Sequence, residues 1–190
     1  MNKPAGYVCS SVSDSHHTVY ELLSEDLKEL VFNAKRGSRL HTIGRLDCDT
    51  SGLLLFTNDG MFSHNMACPA FHIQKTYDVV LKNPVTIEKG NEYIKKVEQG
   101  MYLPEEKKGS AFVTLPAKLE LCIDESDQTD ISKCRITICE GKFHQVRRMF
   151  SALGNEVAQL KRISFGPYIL PPSLEEGKYI TFCKEEFLQP

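Results

Sequence analysis

The sequence predicts an α+β protein with a central mixed, mostly antiparallel sheet and flanking helices. Two observations lead to this class: strand-like alternation and helical spacing both occur, and they follow no regular βαβ rhythm. The chain has 190 residues, of which 25% are charged and 41% belong to the hydrophobic set. This composition supports a packed core, and the length fits one domain or two small lobes.

Clear secondary-structure signals occur in the N-terminal half. Thr18 and Glu21 form a capping-box pattern, and apolar residues at helical spacing then predict one helix from about 19 to 35. The continuous apolar run 53–57 is closed by Asn-Asp-Gly, which predicts a buried strand followed by a tight turn. A short helix is expected over 61–67.

In the C-terminal half, strands alternate with two helices. Apolar spacing predicts helices over 86–99 and 143–153, the second with a Gly-Asn stop after Leu153. Residues 120–130 hold acidic and turn-forming residues without Lys or Arg, which predicts a solvated turn. Strands are expected over 76–81, 111–115, 118–123, 135–139, 157–160 and 178–183.

Basic residues are concentrated in two islands, although the formal net charge of −2 excludes a wholly basic nucleic-acid coat. The first island, 133–162, has seven basic and two acidic residues, a net charge of +5. The second consists of Lys35, Arg36, Arg39, His41 and Arg45. The islands could bind phosphates from one face of the protein, or they could be ordinary exposed charges.

Cysteine and histidine spacing argues against a disulfide framework or a metal site. The seven cysteines include no Cys-x-x-Cys pair, and the six histidines form no helical pair that could bind metal. No apolar run approaches the ~20 residues needed to cross a bilayer. The first residues also lack a signal-peptide pattern. We therefore expect a cytoplasmic protein with reduced thiols, without metal and without membrane contact.

The densest chemical signal is the segment 44–52, Gly-Arg-Leu-Asp-Cys-Asp-Thr-Ser-Gly, which leads into the apolar run. It places a carboxylate on a loop held by a buried strand. In an extended segment Asp47 and Asp49 point to opposite sides, so at most one of them faces a cleft. Two other interpretations are turn-capping aspartates and the Asp-x-Asp-x-Thr loop of haloacid-dehalogenase-type phosphatases. In those phosphatases, however, the strand precedes the acidic pair.

Several motifs occur in one order along the chain. They are Asn-Lys-Pro-Ala-Gly-Tyr-Val-Cys-Ser from residue 2, the segment 44–60, Lys-Thr-Tyr at 75–77, Glu-Gly-Lys-Phe-His-Gln-Val-Arg-Arg-Met-Phe at 140–150, and Leu-Lys-Arg at 160–162. Over essentially its whole length the chain resembles the RsuA/RluB/RluE/RluF family of bacterial ribosomal RNA pseudouridine synthases. It is most similar to the small-subunit branch, which acts on one uridine of 16S rRNA. Large-subunit relatives, which act on 23S rRNA, share much of the pattern.

The resemblance implies a pseudouridine synthase fold with two lobes, roughly 1–67 with parts of the C-terminal half, and 68–190. The lobes would share one sheet and leave a cleft between them. Implied catalytic residues are Asp47 as the essential acid, Tyr77 against the target ring and Arg147 as the partner of the carboxylate. The resemblance also implies that Leu160 closes the pocket behind the base and that Arg45 touches the RNA backbone. Further candidates for contact with the RNA are Lys75, which could instead hold its loop, and Lys142, Gln145, Arg148 and Arg162.

The implied reaction breaks the N1–C1′ bond of a uridine, rotates the uracil and rejoins it through C5. A carboxylate can begin this as a nucleophile or by deprotonating the sugar, and the sequence leaves both routes open. The family uses no metal or organic cofactor. The implied partner is ribosomal RNA in an assembly intermediate, bound by a monomer.

One departure from the family concerns the N-terminal side. Most members carry an S4-type RNA-binding domain ahead of Asn-Lys-Pro, and this sequence does not include one, so we expect weaker RNA binding. A non-catalytic RNA-binding factor for ribosome assembly, built on the same fold, remains the alternative function.

Overall fold

The computed structural model describes residues 1–106, 109–123 and 131–182. In chain order the elements are β1 Asn2–Lys3, β2 Tyr7–Val8, β3 His17–Thr18, a 3-10 turn Val19–Leu22, α1 Glu25–Phe32, β4 His41–Thr42, β5 Thr50–Leu53, β6 Phe56–Thr57, α2 Gly60–Ala67, a 3-10 turn Pro69–Phe71, β7 Lys75–Val85, α3 Ile87–Gln99, β8 Tyr102–Leu103, β9 Phe112–Val113, β10 Lys118–Leu121, β11 Ile131–Ile138, α4 Gln145–Ala152, β12 Val157–Phe165 and β13 Tyr168–Ile169. The predicted α+β class is confirmed.

The chain divides into two compact units. The first comprises Met1–Ile73 and Arg162–Pro190, and the second comprises Gln74–Lys161. The chain passes from the second unit back to the first between Lys161 and Arg162, inside β12, so each unit contains part of that strand.

The first unit is built around short antiparallel strands. Strand β1 pairs with β5, β12 lies next to β5, and β13 pairs antiparallel with the end of β12. Gly52 of β5, with φ of +103°, sits so close to β12 that an added Cβ would lie 2.2 Å from the carbonyl oxygen of Arg162. Only glycine fits this approach. The apolar core of the unit consists of Ile43, Leu53, Leu55, Met66, Phe165, Tyr168 and Leu170.

The helix predicted from 19 to 35 is two elements. The capping box of Thr18 and Glu21 is present, but it begins only a 3-10 turn. The backbone is then extended at Leu23, and Ser24 is the N-cap of α1. The prediction of one continuous helix was wrong because Ser24 and the acidic residues after it start a second helix.

The apolar run 53–57 also divides, so the prediction of one strand was wrong. Strand β5 ends at Leu53, and β6, Phe56–Thr57, pairs instead with β4. Between them, the Leu54 N–H donates to the carbonyl oxygen of Met1, and the Leu55 carbonyl oxygen accepts from the N–H of Ile43. Backbone partners far away in sequence therefore split the run. Residues 53–55 are all buried, as predicted.

In the second unit, β12 lies next to β7, and β7, β11 and β10 follow as an antiparallel series. Helix α3 is capped by Thr86, whose hydroxyl accepts from the Lys89 N–H. Helix α4 begins at Gln145, two residues later than predicted, because His144 precedes it in the left-handed region with φ of 48°.

The remaining predicted elements are present with shifted ends, except the last strand. Residues 178–182 form no strand, and residue 183 lies outside the described part of the chain. Of the predicted acidic turn over 120–130, residues 120 and 121 belong to β10, and residues 124–130 lie outside the described part of the chain.

Candidate active site

The Asp47 loop, residues 47–50, is held in the first unit by a buried lysine. Lys3 is 0% exposed, and its ammonium donates to the carbonyl oxygens of Asp47 (3.1 Å), Cys48 (3.3 Å) and Thr50 (2.7 Å). A fourth hydrogen bond of 3.0 Å goes to the carbonyl oxygen of Pro4. The positive charge of Lys3 therefore fixes the backbone that carries Asp47.

The electrostatics of this loop follow from that burial. Desolvation lowers the pKa of Lys3, and the charges of Asp47 and Asp49 act in the opposite direction. A buried ammonium is tolerated because four carbonyl dipoles point at it. Asp47, the first residue of the loop, is partly exposed.

Further contacts brace the loop on both sides. The Leu46 N–H donates to the sulfur of Cys9, whose thiol donates to the carbonyl oxygen of Leu46. The Gly6 N–H donates to the carbonyl oxygen of Cys48 at 2.7 Å. Burial raises the pKa of the Cys9 thiol, which makes it a packing group rather than a nucleophile. The loop backbone is therefore held by hydrogen bonds on both sides.

Two predicted RNA-contacting arginines of the first unit have different surroundings. Arg45 is exposed, two residues before Asp47. Arg162 is 2% exposed, donates from Nε to the carbonyl oxygen of Leu53 at 2.8 Å, and lies 4.8 Å from the Phe165 ring centroid. Arg162 therefore ties β5 to β12, and its RNA contact stays a prediction.

In the second unit, Tyr77 and Lys75 lie on the same face of β7. Both side chains are buried, and alternate residues of this strand share their side of the sheet. Tyr77 pairs with Ile136 of β11, a central position that fixes its backbone. Leu160 on β12 is also buried in this unit.

Arg147 is held near the start of α4. It is partly exposed, and its Nη1 donates to the carbonyl oxygen of Val157 at 3.1 Å. This hydrogen bond connects the helix to the beginning of β12 and limits the orientations of the guanidinium. Arg147 is therefore braced by its own unit in addition to any contact with substrate.

The turn before α4 is held by a buried glutamate. Glu140 is 7% exposed, and its Oε2 accepts from Gln145 Nε2 at 2.8 Å and from the Leu115 N–H at 2.9 Å. The Gln145 side chain also accepts from the Lys142 N–H, while Lys142 Nζ lies 3.2 Å from the other oxygen of Glu140. Gln145 and Lys142 are thus part of the support for Arg147, and their predicted RNA contacts stay predictions.

Arg148 holds a neighbouring loop. It is 4% exposed, and its Nη2 donates to the carbonyl oxygens of Pro104 at 2.6 Å and Ser110 at 2.9 Å. Its guanidinium lies 4.9 Å from the Phe112 ring centroid. Arg148 therefore joins the segment between β8 and β9 to α4, and its contact with RNA stays a prediction.

The predicted catalytic residues are distributed over the two units. Asp47 belongs to the first unit, while Tyr77 and Arg147 belong to the second. Within the described residues, no group of three or more His, Cys, Asp or Glu side chains could hold a metal ion. Over the same residues, no helix is long and apolar enough to span a bilayer.

Comparison with known proteins decides the family. The profile of the RNA pseudouridylate synthase family matches residues 1–152. Ribosomal small subunit pseudouridine synthase A of Vibrio vulnificus is 41% identical over 186 residues, which are 98% of this chain and 70% of the relative. The chain belongs to the RNA pseudouridylate synthase family. It is an RNA pseudouridine synthase, an isomerase, and the phosphatase interpretation of Asp47 and Asp49 is excluded.

Other relatives agree with this assignment. Ribosomal small subunit pseudouridine synthase A of Haemophilus influenzae is 39% identical to this chain, and the match again covers 98% of this chain and 70% of the relative. A crystal structure of a pseudouridylate synthase has a TM-score of 0.79 and 40% identity, covering 98% of this chain and 70% of that one. The family and fold expected from the sequence motifs are therefore confirmed.

Sequence reasoning identified Asn-Lys-Pro as a motif but gave Lys3 no role. The signal for one was weak, because lysines are almost never fully buried. Glu140 was likewise included in the 140–150 motif and counted as a charge, but no structural role was assigned to it. Both residues act by fixing the backbone next to a predicted catalytic side chain.

Proposed function

We propose that this synthase isomerises a uridine of 16S ribosomal RNA to pseudouridine. The observation that carries the proposal is the 41% identity, across 98% of the chain, to a protein named ribosomal small subunit pseudouridine synthase A. Other relatives from several bacteria bear the same name at 38% to 39% identity. The substrate class follows from this likeness and from the Gly-Arg-Leu-Asp and His-Gln-Val-Arg-Arg motifs.

The reaction rearranges bonds without adding or removing atoms from the nucleoside. The N1–C1′ bond breaks, the uracil turns, C5 bonds to C1′, and the hydrogen at C5 leaves as a proton while N1 gains one. The uridine must first leave its base stack, at a cost of a few kcal/mol. An enzyme for this reaction needs a group that acts at the sugar, a wall that retains the free uracil, and cations that bind the RNA backbone.

We assign these duties to residues by their place in the family motifs. Asp47 would begin the reaction, either by attacking C1′ or by deprotonating the sugar. Arg147 would supply a positive charge as the partner of the Asp47 carboxylate. Tyr77 would stack against the target ring, and Leu160 would retain the detached uracil.

The hydrogen bonds that hold the backbone in each unit favour these assignments. Lys3 fixes the backbone of the Asp47 loop through three carbonyl oxygens. Glu140 and Gln145 fix the turn that starts the helix of Arg147. Enzymes that act through precise placement need side chains held within about half an ångström of the productive geometry.

We further propose that the synthase works in the cytoplasm, as a monomer, on an incompletely assembled small subunit. In a mature ribosome most rRNA is covered by proteins and folded, which makes extrusion of a uridine costly. Sedimentation of the purified chain would test the monomer, and activity on naked 16S rRNA against finished subunits would test the preferred substrate.

Mapping pseudouridine in rRNA from cells with and without this gene tests the proposed function. We expect one 16S position to lose its pseudouridine when the gene is deleted, and to regain it when the wild-type gene is restored. Loss of a 23S position instead would move the substrate to the large subunit. An unchanged map, together with retained binding of rRNA, would favour the assembly-factor alternative.

A further inference from the structure

The segment 33–40, which we call the basic loop, joins α1 to β4 in the first unit and has a defined conformation. The Ser38 N–H donates to the carbonyl oxygen of Lys35 at 3.0 Å, and the Leu40 N–H donates to that of Leu30 at 3.0 Å. Arg39 Nε donates to the carbonyl oxygen of Ala34 at 3.1 Å. The loop is therefore held by hydrogen bonds to backbone carbonyl oxygens and, among the described residues, by no ion pair.

Three cations of the basic loop point to solvent. Lys35, Arg36 and Arg39 are exposed, and among the described residues none of them contacts a carboxylate. From 33 to 46 the sequence contains four Lys and Arg residues and no Asp or Glu. Six other cations of the described chain have acidic partners, in the pairs Lys28–Glu25, Lys82–Glu156, Lys89–Glu92, Lys118–Glu120, Arg135–Asp78 and Lys142–Glu140. Some lysines, such as Lys95, Lys96 and Lys161, have none among the described residues, but the basic loop differs in holding three such cations within five residues.

The other basic island is used differently. Arg148 and Arg162 are buried and bond to backbone carbonyl oxygens. Arg147 bonds to the backbone of Val157, and Lys142 and Arg135 have acidic partners. Most of the charge that the sequence places in 133–162 therefore serves the structure of the units.

Concentrated like charges repel one another and disfavour the folded state. The basic loop holds three cations without carboxylate partners within five residues, so their mutual repulsion destabilises the protein when no RNA is bound. A polyanion relieves it, and a phosphodiester chain with regularly spaced charges suits such a surface. Arg39 lies eight residues before Asp47, so their Cα atoms are no more than about 28 Å apart.

We propose that the basic loop binds the phosphodiester backbone of the substrate rRNA. The proposal rests on the proposed function and adds the surface that sets affinity for the substrate. The loop lies outside the catalytic residues, so it acts on KM and leaves kcat unchanged. Its contacts are to phosphates, which makes them independent of base sequence and sensitive to salt.

The test compares two triple variants with equal change in net charge. One is Lys35→Gln/Arg36→Gln/Arg39→Gln, and the matched control is Lys82→Gln/Lys89→Gln/Lys118→Gln, which removes three exposed cations that have acidic partners. Binding to a 16S rRNA fragment is measured between 50 and 300 mM KCl. Tritium release from the same RNA containing 5-tritiated uridine gives KM and kcat.

For the loop variant we expect the slope of log K against log salt to become shallower by roughly 2, since each phosphate contact contributes about 0.7 to 0.9. KM should rise by roughly tenfold or more, with kcat unchanged, while the control behaves as wild type. Equal slopes for the loop variant and wild type would overturn the inference, and so would equal losses in both variants. Absence of tritium release by the wild-type chain would instead refute the proposed function.

Discussion

Replacing Lys3 with methionine tests whether one buried ammonium holds the Asp47 loop. Methionine keeps the unbranched apolar stem and removes all four hydrogen bonds to Pro4, Asp47, Cys48 and Thr50. The carbonyl oxygens of Asp47 and Cys48 would still accept from the N–H groups of Thr50 and Gly6. The lost hydrogen bonds therefore matter most for the carbonyl oxygens of Pro4 and Thr50. Each carbonyl oxygen that loses its partner costs about 1–3 kcal/mol, and removal of the buried ammonium offsets part of this because its desolvation is avoided. We therefore expect the free energy of unfolding to fall by about 3 kcal/mol.

That loss should be visible in both stability and turnover. In a domain of this size, about 3 kcal/mol corresponds to a Tm lower by roughly 10 °C in a circular-dichroism melt. At 20 °C, where the variant remains folded, kcat for tritium release should fall while KM for RNA stays within about twofold. The control is Lys82→Met, which removes an exposed ion pair with Glu156 and should change Tm by less than about 2 °C. Wild-type melting and kcat in the Lys3 variant would refute the assigned role.

Three further predictions concern other parts of the chain. Gly52→Ala should lower the free energy of unfolding by more than about 2 kcal/mol in urea titrations, because its Cβ would meet the Arg162 carbonyl oxygen at 2.2 Å, and wild-type stability would show that the strands separate easily. Tyr77→Phe should melt as wild type but lower kcat by about 100-fold if the hydroxyl takes part, whereas unchanged kcat would leave only the ring. The α-amino group of Met1 is buried and donates to the carbonyl oxygen of Leu54. Where this group is free, burial lowers its pKa from 8.0 to about 6. The unfolded chain then binds more protons between pH 6 and 8, so stability should rise by about 2 kcal/mol over that range, and an acetylated amino terminus should abolish the rise.

The family and the residues of its motifs were accessible from sequence because they depend on local patterns. The capping box at Thr18 and Glu21 could be identified correctly, since both partners lie within one turn. The length of the helix could not be predicted correctly, because the apolar spacing continues across Ser24, where a second helix begins. The signal was present in the Ser-Glu-Asp sequence, but periodicity alone favours the longer element.

Long-range partners explain what sequence reasoning missed. The strand break at Leu54 depends on a backbone pairing with Met1, and the burial of Lys3 depends on carbonyl oxygens more than 40 residues away. Arg148 and Arg162 show the same limitation, because arginine is mostly exposed and both motifs favoured contact with RNA. Their burial became evident only from the fold.

The central claim is that the chain isomerises uridine through Asp47. Its most direct test is tritium release from 16S rRNA containing 5-tritiated uridine, by the wild type, Asp47→Asn and Asp49→Asn. We expect release by the wild type, none above background by Asp47→Asn, and activity within about tenfold of wild type for Asp49→Asn, with all three proteins melting at the same temperature. Release by Asp47→Asn at the wild-type rate would contradict the central claim.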